Sequence, residues 1–194
     1  MKTKIFIVGA GGHAKVVSEI IQMQENYEIV SYIDESGSVA SFLGKPVFRN
    51  LDDLTASFPN ILHGFVAIGN NSARKKWHLF LKENGYNIPW FAHPKSVVSS
   101  SSVIGDGSLV CASAVVAPSA QLAESVIINH GAIIDHDVQV GSFTHISQNS
   151  AICGAARVQE ECLIGPGTMV EKMALVPGFT QTGSNAIFCS SAVR

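Results

Sequence analysis

Residues 126–146 read Val-Ile-Ile-Asn-His-Gly-Ala-Ile-Ile-Asp-His-Asp-Val-Gln-Val-Gly-Ser-Phe-Thr-His-Ile, and within them Ile128, Ile134, Val140 and Ile146 stand six residues apart. The same step collects Val98, Ile104, Val110, Val116 and Leu122 on one side and Ile152, Val158, Ile164, Val170 and Val176 on the other. Every position is a branched aliphatic. Two residues ahead of each stands a mostly small side chain, among them Ser102, Ser108, Ala114, Ala120, Ala132, Thr144, Ser150 and Ala156. A period of six suits neither a helix, at 3.6, nor a flat strand, at 2. It suits a triangular solenoid with one short strand per repeat, the aliphatic pointing inward and small residues turning the corners. Three repeats make a coil, so the run predicts roughly four to five coils.

Composition fits such a core. Hydrophobic residues make up 46% of the 194 and charged ones only 14%, as expected of a repetitive apolar interior or a large buried interface. The formal net charge is −2 and no basic block occurs, which argues against a nucleic-acid footprint. Apolar runs fall far short of the ~18 residues that a membrane span needs. Lys2 and Lys4 before Ile5-Phe6-Ile7-Val8 imitate a signal peptide, but the run breaks at once into Gly-Gly-His-Ala-Lys, a turn and helix start. A cytoplasmic protein is expected. Cys111, Cys153, Cys162 and Cys189 form no C-x-x-C pair and read as reduced thiols rather than a disulfide framework or zinc ribbon.

Ahead of the repeat the pattern changes. Lys4 to Val8 reads as a buried strand, Ala14, Val17, Ile20 and Ile21 follow at helical spacing, and Glu28 to Ile33 reads as a second strand. Gly64 to Ile68 reads as a third. Asn70 and its neighbours offer a cap for a helix that stops at Asn84-Gly85. Strands alternating with helices predict a parallel sheet. Between the first strand and helix, Gly9-Ala10-Gly11-Gly12-His13-Ala14 matches G-x-G-x-x-A. Its glycines allow a tight turn that brings a phosphate onto the free N–H groups of the helix start. Asp34, about 20 residues on, is placed to hold ribose hydroxyls. Fewer than about 100 residues are available here, one mononucleotide half, so a nucleotide or nucleotide-sugar fits better than a dinucleotide. The serine-rich stretch after Pro94 marks the expected boundary, with an α/β Rossmann-like unit over 1–94 and a β-helix over 95–194.

Three histidines, His130, His136 and His145, fall inside the repeat and off its inward positions. Any one could be an ordinary outward polar residue. Asp135-His136-Asp137 stands apart, because a carboxylate beside an imidazole fixes its tautomer and raises its basicity. A histidine-held metal would need partners at matching height from other subunits, so no metal is expected. A neutral histidine paired with a carboxylate in this way can take a proton from an attacking group, as a general base does.

Gly-Ala-Gly-Gly-His-Ala-Lys-Val-Val at 9–17, Ile-Asp-Glu at 33–35, Ala-Ile-Gly-Asn-Asn at 67–71, His93-Pro94, Ile-Asp-His-Asp at 134–137 and Phe-Thr-His at 143–145 together resemble the NeuD/PglD-type sugar acetyltransferases. The resemblance covers nearly the whole chain. It implies a left-handed parallel β-helix, where general crossover rules favour the right hand, assembled as a homotrimer with sites between subunits. It also implies acetyl-CoA as co-substrate and a UDP-linked 4-amino sugar for bacterial surface glycan synthesis as acceptor. Gly11, Gly12, His13, Asp34, Glu35 and Gly69 would then touch the nucleotide-sugar. His136 would be the general base and Asp137 its carboxylate, while Asn129, His145, Gly154, Pro166 and Ser184 would lie along acetyl-CoA. The tail departs from the family. It lacks the usual Gly-x-Pro, the repeat fades after Val176, and Pro166 has no N–H to offer. O-acetylation of sialic acid or a related nonulosonate stays open, as does a non-catalytic binding or scaffold role.

Overall fold

The computed structural model describes residues 2–37 and 39–189 and divides into two units, Met1–Pro89 and Trp90–Arg194. The last five residues of the atypical tail lie outside the described residues.

The first unit is a parallel sheet flanked by helices. β1 (Thr3–Val8), α1 (Gly12–Gln22) and β2 (Tyr27–Ile33) follow the expected order. A short hairpin, β3 (Ser41–Phe42) and β4 (Lys45–Phe48), and a two-turn helix, α2 (Leu51–Ser57), come next, ahead of β5 (His63–Val66) and α3 (Asn71–Glu83). The sheet order is β3-β4-β2-β1-β5, parallel throughout except at the β3–β4 hairpin. Phe6, Val8, Ile33, Leu54, Val66 and Leu81 form its core. Asn70 caps α3, its side-chain oxygen accepting from the Ala73 N–H at 2.9 Å. The chain leaves β1 toward β2 on one side and pairs with β5 on the other, so a topological switch point lies between the C-terminal ends of β1 and β5. That is where ligands bind in open α/β sheets.

The second unit is the left-handed parallel β-helix. Two-residue strands stack into sheets of six, five and five, and each pairs with the strand 18 residues on, as Ile133 with Ala151 and Ile134 with Ile152. The second residue of each pair points inward. Val110, Val116, Ile128, Ile134, Ile146, Ile152, Ile164 and Val170 are fully buried in one continuous core with Ala114, Ala120, Ala132 and Ala156. Burying each aliphatic contributes about 1.5–3 kcal/mol, and none could do so without the coil above or below it. Turning a corner costs something in return. A residue near φ +60° recurs along the solenoid, glycine at Gly107, Gly131 and Gly167 but an L-residue at Ser113, Ser119, Asp137, Phe143, Asn149 and others. Each L-residue there costs roughly 1–2 kcal/mol, which the stacking offsets.

Two boundaries differ from expectation. The solenoid begins at Trp90, upstream of the serine-rich stretch, because Phe91–Ala92 already pairs with Leu109–Val110. At the other end the coil outlives the aliphatic repeat. Ile187–Phe188 pairs with Met169–Val170, and Thr182 takes the place six residues beyond Val176. Its hydroxyl accepts from the Gly165 N–H at 2.8 Å and meets the Thr168 hydroxyl at 3.2 Å, so hydrogen bonds replace apolar packing where the stack ends.

Candidate functional site

The nucleotide-binding candidates of the first unit gather on the loops at the C-terminal ends of β1, β2 and β5. Gly11 is the N-cap of α1 in an extended conformation, no side chain caps the helix, and its first turn carries no acid. The first N–H groups and the positive end of the helix dipole are therefore available to an anion. The glycines of this region serve different ends. Gly9 has φ +111°, and a Cβ there would lie 2.8 Å from the Ala67 carbonyl oxygen, so the fold itself demands glycine. At Gly11, Gly12 and Gly69 a Cβ would meet nothing within 4 Å. No internal contact demands glycine at these three, and their backbone is open to approach. His13 is half-buried in the first turn of α1. Asp34 sits just past β2, its carboxylate held by the Ser36 N–H at 3.1 Å and hydroxyl at 2.9 Å, with Glu35 exposed beside it.

In the second unit, His136 and Asp137 occupy the corner that follows the strand Ile133–Ile134. Asp137 carries the left-handed φ of 59°, a conformation that Asp tolerates better than most residues, and its carboxylate lies 2.8 Å from His136 Nδ1. A carboxylate only accepts, so Nδ1 carries the proton and Nε2 is left with the lone pair. Asp135 accepts the His136 backbone N–H at 2.7 Å. The bond to Asp137 raises the imidazole above its ordinary 6.5, Asp135 adds to the rise, and Lys172 opposes it. The ring is open to solvent, with 54% of its side chain exposed.

Gly154 stands one coil beyond His136. A Cβ on it would sit 2.7 Å from Nε2 and 2.8 Å from Cε1, so the ring rests against the bare α-carbon of the next coil. The Gly154 N–H donates no hydrogen bond among the described residues. The Nε2 lone pair thus lies against the α-carbon of Gly154.

At the opposite end of the same strand, Asn129 joins two histidines. Its Oδ1 accepts from the His130 N–H and from His130 Nδ1, both at 2.8 Å. Its Nδ2 therefore faces His145 Nε2, at 3.0 Å, and the amide donates to an unprotonated ring nitrogen. Pro166 and Ser184 are exposed on corner turns of the following coils, and the Pro166 carbonyl accepts from the Asn185 N–H at 2.7 Å. Within one chain the structure brings His136, Asp137 and Gly154 together, and Asn129 with His145. It keeps the two groups apart by the width of one face. Cys153 is only half-buried beside Gly154, whereas burial pushes the Cys111 thiol up to about 12.

Sequence reading missed the bridge from Asn129 to His145, which spans 16 residues across a corner and has no local signature. The Arg74-Lys75-Lys76 run reads as a charged stretch of helix, and nothing in it signals that Arg74 is buried on α3 at 1% exposure. The spacing of 18 between His136 and Gly154 was the available signal for their stacking.

Comparison with known proteins bears on both units. Residues 4–79 match the family model of the PglD N-terminal domain. UDP-N-acetylbacillosamine N-acetyltransferase of Bacillus subtilis (strain 168) is 30% identical over 103 residues, a span of 50% of this chain and 46% of that enzyme. The acetyltransferase domain of PglB from Neisseria gonorrhoeae FA1090, solved in complex with acetyl coenzyme A, is 33% identical and superposes with a TM-score of 0.88 over 97% of this chain and 94% of that one. A mutant of perosamine N-acetyltransferase from Caulobacter crescentus, in complex with CoA and GDP-perosamine, is 29% identical with a TM-score of 0.88, over 97% and 91%. Among the described residues no helix is long and apolar enough to cross a membrane.

The tautomer and the raised basicity can be read directly. An NMR titration should place His136 above 6.5, and Asp137→Asn should bring it back toward that value by removing the first cause of the rise. A value that does not move in the variant would contradict the pairing.

Proposed function

Because the chain belongs to the PglD-type sugar acetyltransferase family, we propose that it transfers the acetyl group of acetyl-CoA to the amine of a UDP-linked 4-amino sugar. The observation that carries this reading is the His136 Nε2 lone pair, set by the Asp137 carboxylate at the other nitrogen and lying against the bare α-carbon of Gly154. The sugar amine attacks the thioester carbonyl carbon as Nε2 takes its proton. Charge gathers on the carbonyl oxygen, where the Gly154 N–H donates. The tetrahedral intermediate collapses, the C–S bond breaks, and the imidazolium returns the proton to the CoA thiolate. No covalent enzyme intermediate is needed.

Gly11, Gly12 and the start of α1 hold the phosphates in this reading, Asp34 and Glu35 the nucleoside, and His13 and Gly69 the rest of the acceptor. Asn129, His145, Gly154, Pro166 and Ser184 lie along acetyl-CoA. Pro166 has no N–H, so its contact is with its ring rather than its backbone donor. UDP is favoured by the name of the Bacillus relative, and the acceptor would serve bacterial surface glycan synthesis.

The separation of His136 from Asn129 and His145 supports a homotrimer. The sheet between these two groups presents Val97, Val115, Ile133, Ala151, Met169 and Ile187 outward, an apolar column over its whole height, with Ile133 and Met169 still 45% and 40% exposed. In a three-fold ring the face of one copy meets another, and the base of one copy completes the acetyl-CoA site of the next. In the cell such an assembly belongs in the cytoplasm, where acetyl-CoA and nucleotide-sugars are made.

Mass spectrometry of mixtures with acetyl-CoA and a UDP-linked 4-amino sugar, its GDP-linked counterpart, or free sialic acid should show acetylation of the UDP-linked amine. Acetylation of sialic acid alone would overturn the acceptor and make the protein an O-acetyltransferase. Light scattering should return three times the chain mass, and a monomeric mass would contradict the shared site.

A further inference from the structure

Arg74 lies on the first turn of α3 with its side chain fully buried. Burying a guanidinium is costly unless its donors are used, and three of this one's hydrogen bonds go to a single loop. Nη1 donates to the carbonyls of Ile68 at 3.2 Å and Gly69 at 3.0 Å, and Nη2 donates to Asn71 Oδ1 at 2.9 Å. The Arg74 backbone N–H adds a bond to the Asn70 carbonyl at 2.9 Å. The loop from Ile68 to Asn71, which follows β5, is clamped from beneath.

The consequence follows from the planarity of the peptide. In a trans peptide the C=O and the following N–H point in opposite directions, and the described chain contains no cis bond. Drawing the Ile68 and Gly69 carbonyls onto Arg74 therefore turns the N–H groups of Gly69 and Asn70 to the other side of the loop. Neither N–H donates a hydrogen bond among the described residues. Gly69 has no Cβ to block approach, and one built there would meet nothing within 4 Å. The loop lies at the C-terminal end of β5, beside the β1 loop with Gly11 and Gly12, at the switch point of the sheet.

We infer that Arg74 is a positioning residue for the nucleotide. By holding two carbonyls inward it presents the Gly69 and Asn70 N–H groups as a donor pair for phosphate oxygens, opposite the N–H groups that begin α1. This rests on the reading of the first unit as the nucleotide holder. It requires no contact between Arg74 and the ligand. Lysine cannot replace it, because a single ammonium on a flexible stem cannot hold both carbonyls and the Asn71 side chain in one plane.

The test is titration calorimetry of UDP, GDP and acetyl-CoA against the whole protein, its Arg74→Lys variant and Asn71→Ala. Asn71→Ala frees one arm of the guanidinium and leaves the buried charge in place. Arg74→Lys should weaken nucleotide binding about tenfold or more, and Asn71→Ala about threefold, by loss of charge-assisted bonds. Acetyl-CoA affinity should stay unchanged in both. In steady state the loss should fall on KM for the acceptor and leave kcat in place. Nucleotide affinity unchanged in Arg74→Lys, or in Asn71→Ala should the lysine variant not fold, would overturn the inference. Wild-type protein that binds neither nucleotide would remove the reading of the first unit, and this inference with it, a result distinct from equal binding by wild type and variants.

Discussion

An aliphatic side chain in the solenoid is buried only because another lies above or below it, 18 residues away in the chain. Ile134 packs between Val116 and Ile152 on neighbouring strands, and Ile146 between Ile128 and Ile164. Remove the stacking and a coil is an open triangle of two-residue strands with nothing to hold it. The requirement fixes the period, because only residues returning to the same corner after three repeats can stack. It also fixes the corners, which must bend in the same way at every level.

The chemistry of the second unit is a by-product of that regularity. The corner conformation that lets the chain turn places Asp137 in the left-handed region, and there its carboxylate meets the ring of the residue just before it. The coil-to-coil rise places Gly154 against the same ring. A Cβ at that level would push the His136 ring out of its place. One motif thus sets the tautomer and the raised basicity, with no loop needing to be ordered for the purpose. The same regularity keeps Asn129 and His145 at the far edge of the face from His136.

Much of this was legible in the sequence because the signals were periodic. Fourteen aliphatics in register dictated the solenoid, and Gly-rich strand–helix turns located the loops at the C-terminal edge of the first unit's sheet. The hairpin at Ser41–Phe48 and the short helix Leu51–Ser57 were not legible, since they are too short to show a period. The last coil escaped notice because Thr182 closes it with hydrogen bonds in place of an aliphatic. Pairings between neighbouring coils, such as Asn129 with His145, depend on which level and corner a residue reaches. The buried role of Arg74 was hidden for another reason: its neighbours Lys75 and Lys76 make the segment look like an ordinary charged helix face.

The two units differ in what their folds present. The parallel sheet offers an uncapped helix start, a geometry that suits anions, and the solenoid holds His136 and Asp137 on a rigid frame. The claim on which the account turns is that His136 takes the proton of the attacking amine. It is tested most directly by the rate of acetyl transfer by His136→Ala with both substrates saturating. The rate should fall by about 10² to 10⁴-fold, the usual worth of a positioned base, with the melting temperature unchanged because the ring is exposed and outside the stack. A variant as fast as the wild type would contradict the assignment and leave the solenoid as a binding frame.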